Sequence, residues 1–297
     1  MKFKSMDRRL FTILMIVFVQ MVGAAMILPI LPLYAKNEFA LSPREITWLG
    51  TTFFAAQFVA GPYLGRLSDK IGRLPVLIVS QIGTAISFVM LAFAPNAWVL
   101  FAARLLDGIT GGNIIVAQAY ITDITPREKR TESLGYIFAV FGVGFIIGPA
   151  LGSVLAAAFG PRVPYLIAAG AAALVVLLTW FTLDETVTDA QQATNRQAGR
   201  RGLDPKQVVQ NIPLLFVLVI AFVAQFGFGL LQSTFALYGE AVLFAGYPEQ
   251  AALVGIGLML AAIGLGQVFT QTFLLRRLLR RFNEATLVLI GLLLRTG

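Results

Sequence analysis

Charged residues in this 297-residue chain are gathered into short stretches, and long uncharged segments run between them. The uncharged segments cover residues 10–35, 46–65, 74–103, 133–161, 163–183, 207–239 and 250–275. About 20 apolar residues carry a helix across a bilayer core, so each segment is long enough to span one. The third continues past Pro95-Asn96, a turn signal, into a fourth span from about residue 97 to 122. The pattern therefore predicts eight spanning helices. A ninth begins at Ala285, but ten uncharged residues remain before Arg295, enough for roughly 15 Å, half the core. The expectation is an all-α membrane protein.

Composition strengthens that expectation. Apolar residues make up 58% of the chain and charged residues 13%, with a mean hydropathy of +0.80. A soluble domain carries about 25% charged residues, so this chain has too little charge to cover a surface facing water. There is no cysteine and no histidine. A histidine proton relay, a His/Cys metal site and a Ser-His-Asp triad are thereby excluded.

The net charge of +8 would suggest nucleic acid in a soluble protein; here the bases lie in loops on one side of a membrane, and no nucleic-acid partner is expected. Lys2, Lys4, Arg8 and Arg9 resemble the start of a signal peptide, but the uncharged run that follows has 26 residues. A signal core has about 7–15, so this segment reads as an uncleaved first helix. Arg66, Lys70 and Arg73 follow span two, Arg127, Lys129 and Arg130 follow span four, and Arg276, Arg277, Arg280 and Arg281 follow span eight. The alternate turns are poor in bases or balanced by acids. All basic turns fall on one side, which places the N-terminus in the cytoplasm.

After six spans comes a polar stretch, residues 184–206, with four acids and four bases. It reads as a cytoplasmic linker between a six-helix half, 1–183, and a second half, 207–297. The turn Arg276-Arg277-Leu278-Leu279-Arg280-Arg281-Phe282-Asn283-Glu284 reads as a degraded copy of the turn after span two, which makes a weak internal repeat.

That earlier turn, Gly65-Arg66-Leu67-Ser68-Asp69-Lys70-Ile71-Gly72-Arg73, is the most specific feature of the chain. Its glycines let helix ends approach, its acid suits a helix N-terminus, and its bases hold the turn on the cytoplasmic side. It resembles the signature of the major facilitator superfamily of secondary transporters, G-x-L-x-D-R/K-x-G-R/K, at Gly65, Leu67, Asp69, Lys70, Gly72 and Arg73. Arg104-Leu105-Leu106-Asp107-Gly108 resembles the family's R-x-x-x-G element. Gly144, Gly148, Pro149 and Gly152 match the G-x-x-x-G-P-x-x-G element of its antiporters. The three glycines form a flat stripe for close helix approach, and Pro149 removes a backbone hydrogen bond.

In the family that stripe packs against span eight, where Gly257, Ala261 and Gly264 stand ready to receive it. Residues 113–130, with Leu28-Pro29-Ile30-Leu31-Pro32, resemble the tetracycline-exporter branch of the drug:proton antiporters. Relatives there carry an acid in the first span where this chain has Gln20, so that proton route is not carried over. The resemblance implies two six-helix halves as a parallel repeat, here ending after about eight and a half spans. It also implies a gate at the cytoplasmic helix ends, with Asp69 pairing there beside Asp123 and Arg127.

Ionisable groups inside a span are functional candidates by default. Arg104 and Asp107 are three apart on one helix face, and Gly111 and Gln118 continue it. This stripe is expected to line the central cavity, with Asp107 as the protonatable carboxylate and Arg104 as the partner it releases or a contact for an anionic substrate. An intrahelical pair that merely neutralises itself is the alternative. Gln225 and Gln232 flank Phe228 on span seven, and Gln20 and Gln57 are placed to project inward from spans one and two; such amides beside phenylalanine suit an amphipathic drug.

The expected activity is proton-driven efflux of a small lipophilic compound by alternating access, hence multidrug or antibiotic resistance. The protein would work as a monomer in the cell membrane, without a cofactor and powered by the proton gradient. No G-x-x-x-x-G-K-S/T loop and no nucleophile–base pair occurs, so an enzyme is not expected. Two alternatives stay open: a non-transporting fragment of such a protein, and a metabolite or sugar facilitator of the same superfamily.

Overall fold

The structure, a computed structural model, describes residues 8–187, 210–278, 281–282, 286–287 and 289–291. The onset of a ninth span, Lys2, Lys4, Arg280 and most of the expected linker (188–206) lie outside them. Every described element is helical: α1 (Arg8–Phe39), α2 (Pro43–Ile71), α3 (Arg73–Ala92), α4 (Ala97–Thr110), α5 (Asn113–Ile124), α6 (Arg130–Phe159), α7 (Arg162–Thr182), α8 (Ile212–Tyr238), α9 (Glu249–Phe269) and α10 (Leu275–Leu278). Taking α4 and α5 together, six helices have both the length and the apolarity to cross a membrane. α2 and α8 add 29 and 27 residues.

The charges that bound each apolar run also explain the helix ends. Ser42 caps α2 by accepting from the Glu45 N–H, while the Glu45 carboxylate accepts from the Ser42 N–H at 2.8 Å, a reciprocal capping box. α2 and α3 are separated by Gly72 alone, at φ 109°, a conformation that side-chain-bearing residues rarely adopt.

α1 is the central helix. It packs against α6 and α7, α6 packs in turn against α9, and α3 lies against α7 and α4. Two apolar clusters are strung along α1. One gathers Leu10, Ile13 and Val17 with Val76, Leu77, Val116, Tyr120 and Val175; the other gathers Ile27, Ile30 and Tyr34 with Phe88, Leu91, Leu100, Ala103, Tyr165 and Ile256. Between them, α3 contributes buried Ser80, Gln81, Thr84 and Ser87, and α4 contributes Asp107. The bundle thus encloses a polar layer between two apolar ones.

The fourth span, expected over about 97–122, runs over 97–124. Its helix is interrupted at Gly111-Gly112, where Gln57 Nε2 on α2 donates to the Gly111 carbonyl at 3.0 Å. A glycine pair weakens the helix, and a side-chain amide takes the carbonyl that the helix gives up. One expectation is corrected: the glycine stripe of α6 does not meet span eight. Gly144, Gly148 and Gly152 press on Met21, Val22, Ala25 and Met26 of α1. The neighbouring face of α6, with Phe145, Ile146, Pro149 and Ser153, meets Gly257 and Gly264 of α9. α6 is clamped from two sides, and the one-residue offset between stripes turns one toward each partner.

Candidate functional site

The polar layer centres on Arg104 and Asp107. Arg104 Nη1 donates to Asp107 Oδ2 at 2.7 Å, and the two side chains are 12% and 10% exposed. The three-residue spacing on α4 brings the groups together, as the sequence suggests. The Arg104 guanidinium stacks over Phe53 of α2, 4.1 Å from the ring centroid. The hydroxyls of Thr84 and Ser87 on α3 face the Asp107 carboxylate. Gly108 is pressed on α2 at Phe53 and Ala56, and Gly111 lies beside Gln57. The Arg104–Gly111 stripe therefore abuts α2 and α3.

Other predicted cavity residues are spread more widely. Gln20 is half-buried on α1, and Gln118 half-buried on α5. Gln225, Phe228 and Gln232 belong to α8, and their side chains fall outside the described residues.

The predicted gate forms a compact cluster in which Arg73 holds two acids. Its Nη1 lies 2.6 Å from Asp69 Oδ1, and its Nε donates to Asp123 Oδ2 at 3.0 Å. Nη1 also reaches Ser68 Oγ at 2.7 Å. Gly65 packs on Ile115. Lys70 ends α2, and Arg127 is exposed at the start of a short 3-10 turn.

Asp69 lies in the last turn of α2. The start of α3 is capped by Glu185. Its carboxylate accepts from the N–H groups of Arg73 (2.8 Å), Leu74 (3.0 Å), Thr186 (2.9 Å) and Val187 (3.0 Å). A Cβ on Gly72 would collide with it. Sequence reasoning missed Glu185, although a signal existed: α3 follows a glycine, which offers no capping side chain, and so needs an acceptor from elsewhere.

Asp184 adds an ion pair with Arg9 (2.9 Å) and accepts from Tyr120 through its carbonyl (3.1 Å). The segment after α7 thus straps together α1, α3 and α5. Replacing Glu185 by Ala frees the first N–H groups of α3 and is expected to cost about 1–2 kcal/mol. A lowered melting temperature in detergent, together with faster thiol labelling of Asp69→Cys in that background, would show it.

At the opposite end of α1, Lys36 Nζ contacts Glu240 Oε2 at 2.6 Å and Asn37 Nδ2 donates to Glu249 Oε1 at 2.5 Å. These contacts join α1 to the connection between α8 and α9. Both acids stand in a turn that the charge pattern puts across the membrane from the Arg73 cluster.

The chain is 31% identical over 291 residues to the class H tetracycline resistance protein of Pasteurella multocida, covering 97% of this chain and 71% of that protein. It is 26% identical to multidrug resistance protein 2 of Bacillus subtilis, over 93% of this chain and 68% of that one. The fold resembles that of the human organic anion transporter MFSD10, with a TM-score of 0.68 at 22% identity, over 91% of this chain and 72% of that one. Residues 13–296 match the Major Facilitator Superfamily, and this chain, a multi-pass membrane protein and a transporter rather than an enzyme, belongs to that family.

Proposed function

We propose that this chain exports small lipophilic compounds, tetracycline-like molecules among them, across the cell membrane in exchange for protons. The observation that carries the reading is the Arg104–Asp107 pair, held at 2.7 Å in a polar layer inside a bundle of membrane-length helices. An ionisable pair at that depth is costly and is most simply explained by a charge that changes during work. Protonation of Asp107 releases Arg104; deprotonation restores the pair. Coupling that switch to alternating access makes an antiporter.

The reading includes two halves, residues 1–183 and 207–297, joined by a cytoplasmic linker at 184–206, with the N-terminus in the cytoplasm and one chain as the working unit. Gln20, Gln57, Gln118, Gln225, Phe228 and Gln232 are the proposed substrate contacts. The Arg73 cluster, with Asp69, Asp123 and Glu185, acts as the cytoplasmic gate, and the Lys36–Glu240 and Asn37–Glu249 contacts close the opposite face. No cofactor takes part; the proton gradient supplies the energy.

Inverted membrane vesicles test this. After respiration acidifies the lumen, tetracycline is added while lumenal pH is followed. Drug-dependent alkalinisation that Asp107→Asn abolishes is expected. An unchanged response from Asp107→Asn would remove Asp107 from the coupling step, and no response from correctly inserted wild type would overturn antiport.

A further inference from the structure

α8 packs on α1 and α2, and α9 on α6 and α1, so the described part of the second half lies against those helices. α3 and α7 pack on one another away from it, and between them runs a furrow of about 640 Å³. Ala85, Val89 and Phe93 of α3 line one side, and Leu166, Gly170 and Ala173 of α7 the other. All ten of its lining residues are apolar. Small residues give it depth: nothing lies within 4 Å of a Cβ added at Gly170. From Ala85 to Phe93 the helix rises about 12 Å, so the furrow belongs to one leaflet rather than to the whole core.

Its position along the bundle points to what fills it. α3 starts at Arg73 and ends at Ala92, and α7 starts at Arg162, so the furrow opens at the end opposite the Arg73 cluster. Arg162 precedes Leu166 by four residues and therefore stands above it on the same face of α7. It is exposed and has no ion-pair partner among the described residues. Val99 of α4 closes the same end, and Trp98 beside it is 81% exposed. Tryptophan gathers where a bilayer meets water, and an arginine at that level meets lipid phosphate.

We propose that this furrow seats one acyl chain of a phospholipid, drawn from the leaflet opposite the Arg73 cluster, with the lipid phosphate held by Arg162. The bilayer is what covers this face of a multi-pass membrane protein, and the ligand has the two parts that the site offers to bind. A lipid tail is as apolar as the furrow, so the tail gains by close packing rather than by leaving water. The guanidinium–phosphate contact fixes its register along α7. A second copy of the chain fits this face less well. Two-fold partners in a membrane sit at one depth, so pairing here would set two Arg162 cations at the same level.

The test uses the full chain, purified in detergent and stripped of lipid. It is titrated with dioleoylphosphatidylglycerol or with dioleoylglycerol, which lacks the phosphate. Bound lipid is read by native mass spectrometry, and the melting temperature is followed. Gly170→Leu and, independently, Ala173→Leu place a larger side chain in the furrow. Gly135→Leu adds the same bulk on α6, at an exposed position where nothing lies within 4 Å of an added Cβ either.

Wild type is expected to retain phosphatidylglycerol, to melt several degrees higher with it, and to bind it about tenfold more tightly than dioleoylglycerol. The furrow-filling variants are expected to melt like wild type without lipid, to bind about tenfold more weakly and to lose the shift. Arg162→Gln should bind the two lipids equally. Undiminished binding in both furrow-filling variants overturns the furrow as the seat, and an undiminished preference for phosphate in Arg162→Gln overturns the headgroup contact. An equal loss in Gly135→Leu overturns the site as unspecific surrounding lipid. A Gly170-dependent shift with tetracycline and none with phospholipid assigns the furrow to the substrate. A dimer in detergent that Gly170→Leu dissociates assigns it to a second copy, and either result overturns the proposal.

Discussion

Gly148→Leu is expected to yield almost no folded protein. The Gly148 position faces α1 so closely that even a single added Cβ would stand 2.9 Å from the Val22 carbonyl oxygen and 3.1 Å from the Ala25 carbonyl carbon. The neighbouring stripe positions are as tight: a Cβ at 144 would lie 2.9 Å from Met21 Cβ, and one at 152 would lie 2.9 Å from Met26 Cα. Most of these partner atoms are backbone, which cannot turn aside as a flexible side chain can. A methyl at 148 must therefore push α1 and α6 apart along a shared face.

Overpacking of this kind costs about 1–3 kcal/mol, so Gly148→Ala should lower the melting temperature measurably and Gly148→Leu should exceed what the bundle tolerates. Gly170→Leu is the control: nothing lies within 4 Å of its added Cβ, and near-wild-type stability is expected. Size-exclusion profiles and thermal melts in detergent read both. A well-folded Gly148→Leu protein would show that α1 and α6 do not approach as described.

The partner of that stripe was not readable from the sequence, and the reason is general. Small residues at i, i+4 and i+8 state that some helix comes close, but not which one. The chain carries two receiving surfaces, and only the packed structure shows that Gly257 meets Pro149 and Ser153 and Gly264 meets Phe145 and Ile146, while Gly148 meets α1. Helix positions were far more legible. The run 10–35 becomes Arg8–Phe39, and 163–183 becomes Arg162–Thr182, because charges resist entering lipid and so mark where helices leave it.

The break at Gly111-Gly112 and the cap from Glu185 were missed for a shared reason. Both depend on a partner distant in sequence: Gln57 accommodates the first, and the second is offered to a helix that begins more than a hundred residues earlier. The ion pair of Arg104 and Asp107 was legible because both partners lie on one helix face. The layer around it was not: Ser80, Gln81, Thr84 and Ser87 are scattered polar residues in an apolar run until α3, α4 and α7 are brought together.

The same pair makes the second large prediction, which separates stability from transport. With side chains only 12% and 10% exposed, removal of one partner leaves the other uncompensated in the polar layer. Breaking a buried pair costs about 3–5 kcal/mol, whereas replacing both members by apolar residues is often neutral. The two single substitutions should not be equal. In Arg104→Leu the orphaned carboxylate can take up a proton and become neutral beside Thr84 and Ser87. In Asp107→Leu the orphaned guanidinium has no such escape, since arginine stays charged in proteins.

Asp107→Leu is therefore expected to be the least stable of the three, Arg104→Leu to be intermediate, and Arg104→Leu/Asp107→Leu to recover most of the wild-type melting temperature. Transport should not follow that order. The double variant folds but has no group left to exchange a proton, so gradient-driven tetracycline movement should be absent from it. Full transport by the double variant would reduce the pair to an internal neutralisation. A double variant no more stable than Asp107→Leu would show that the two charges are not each other's principal partner.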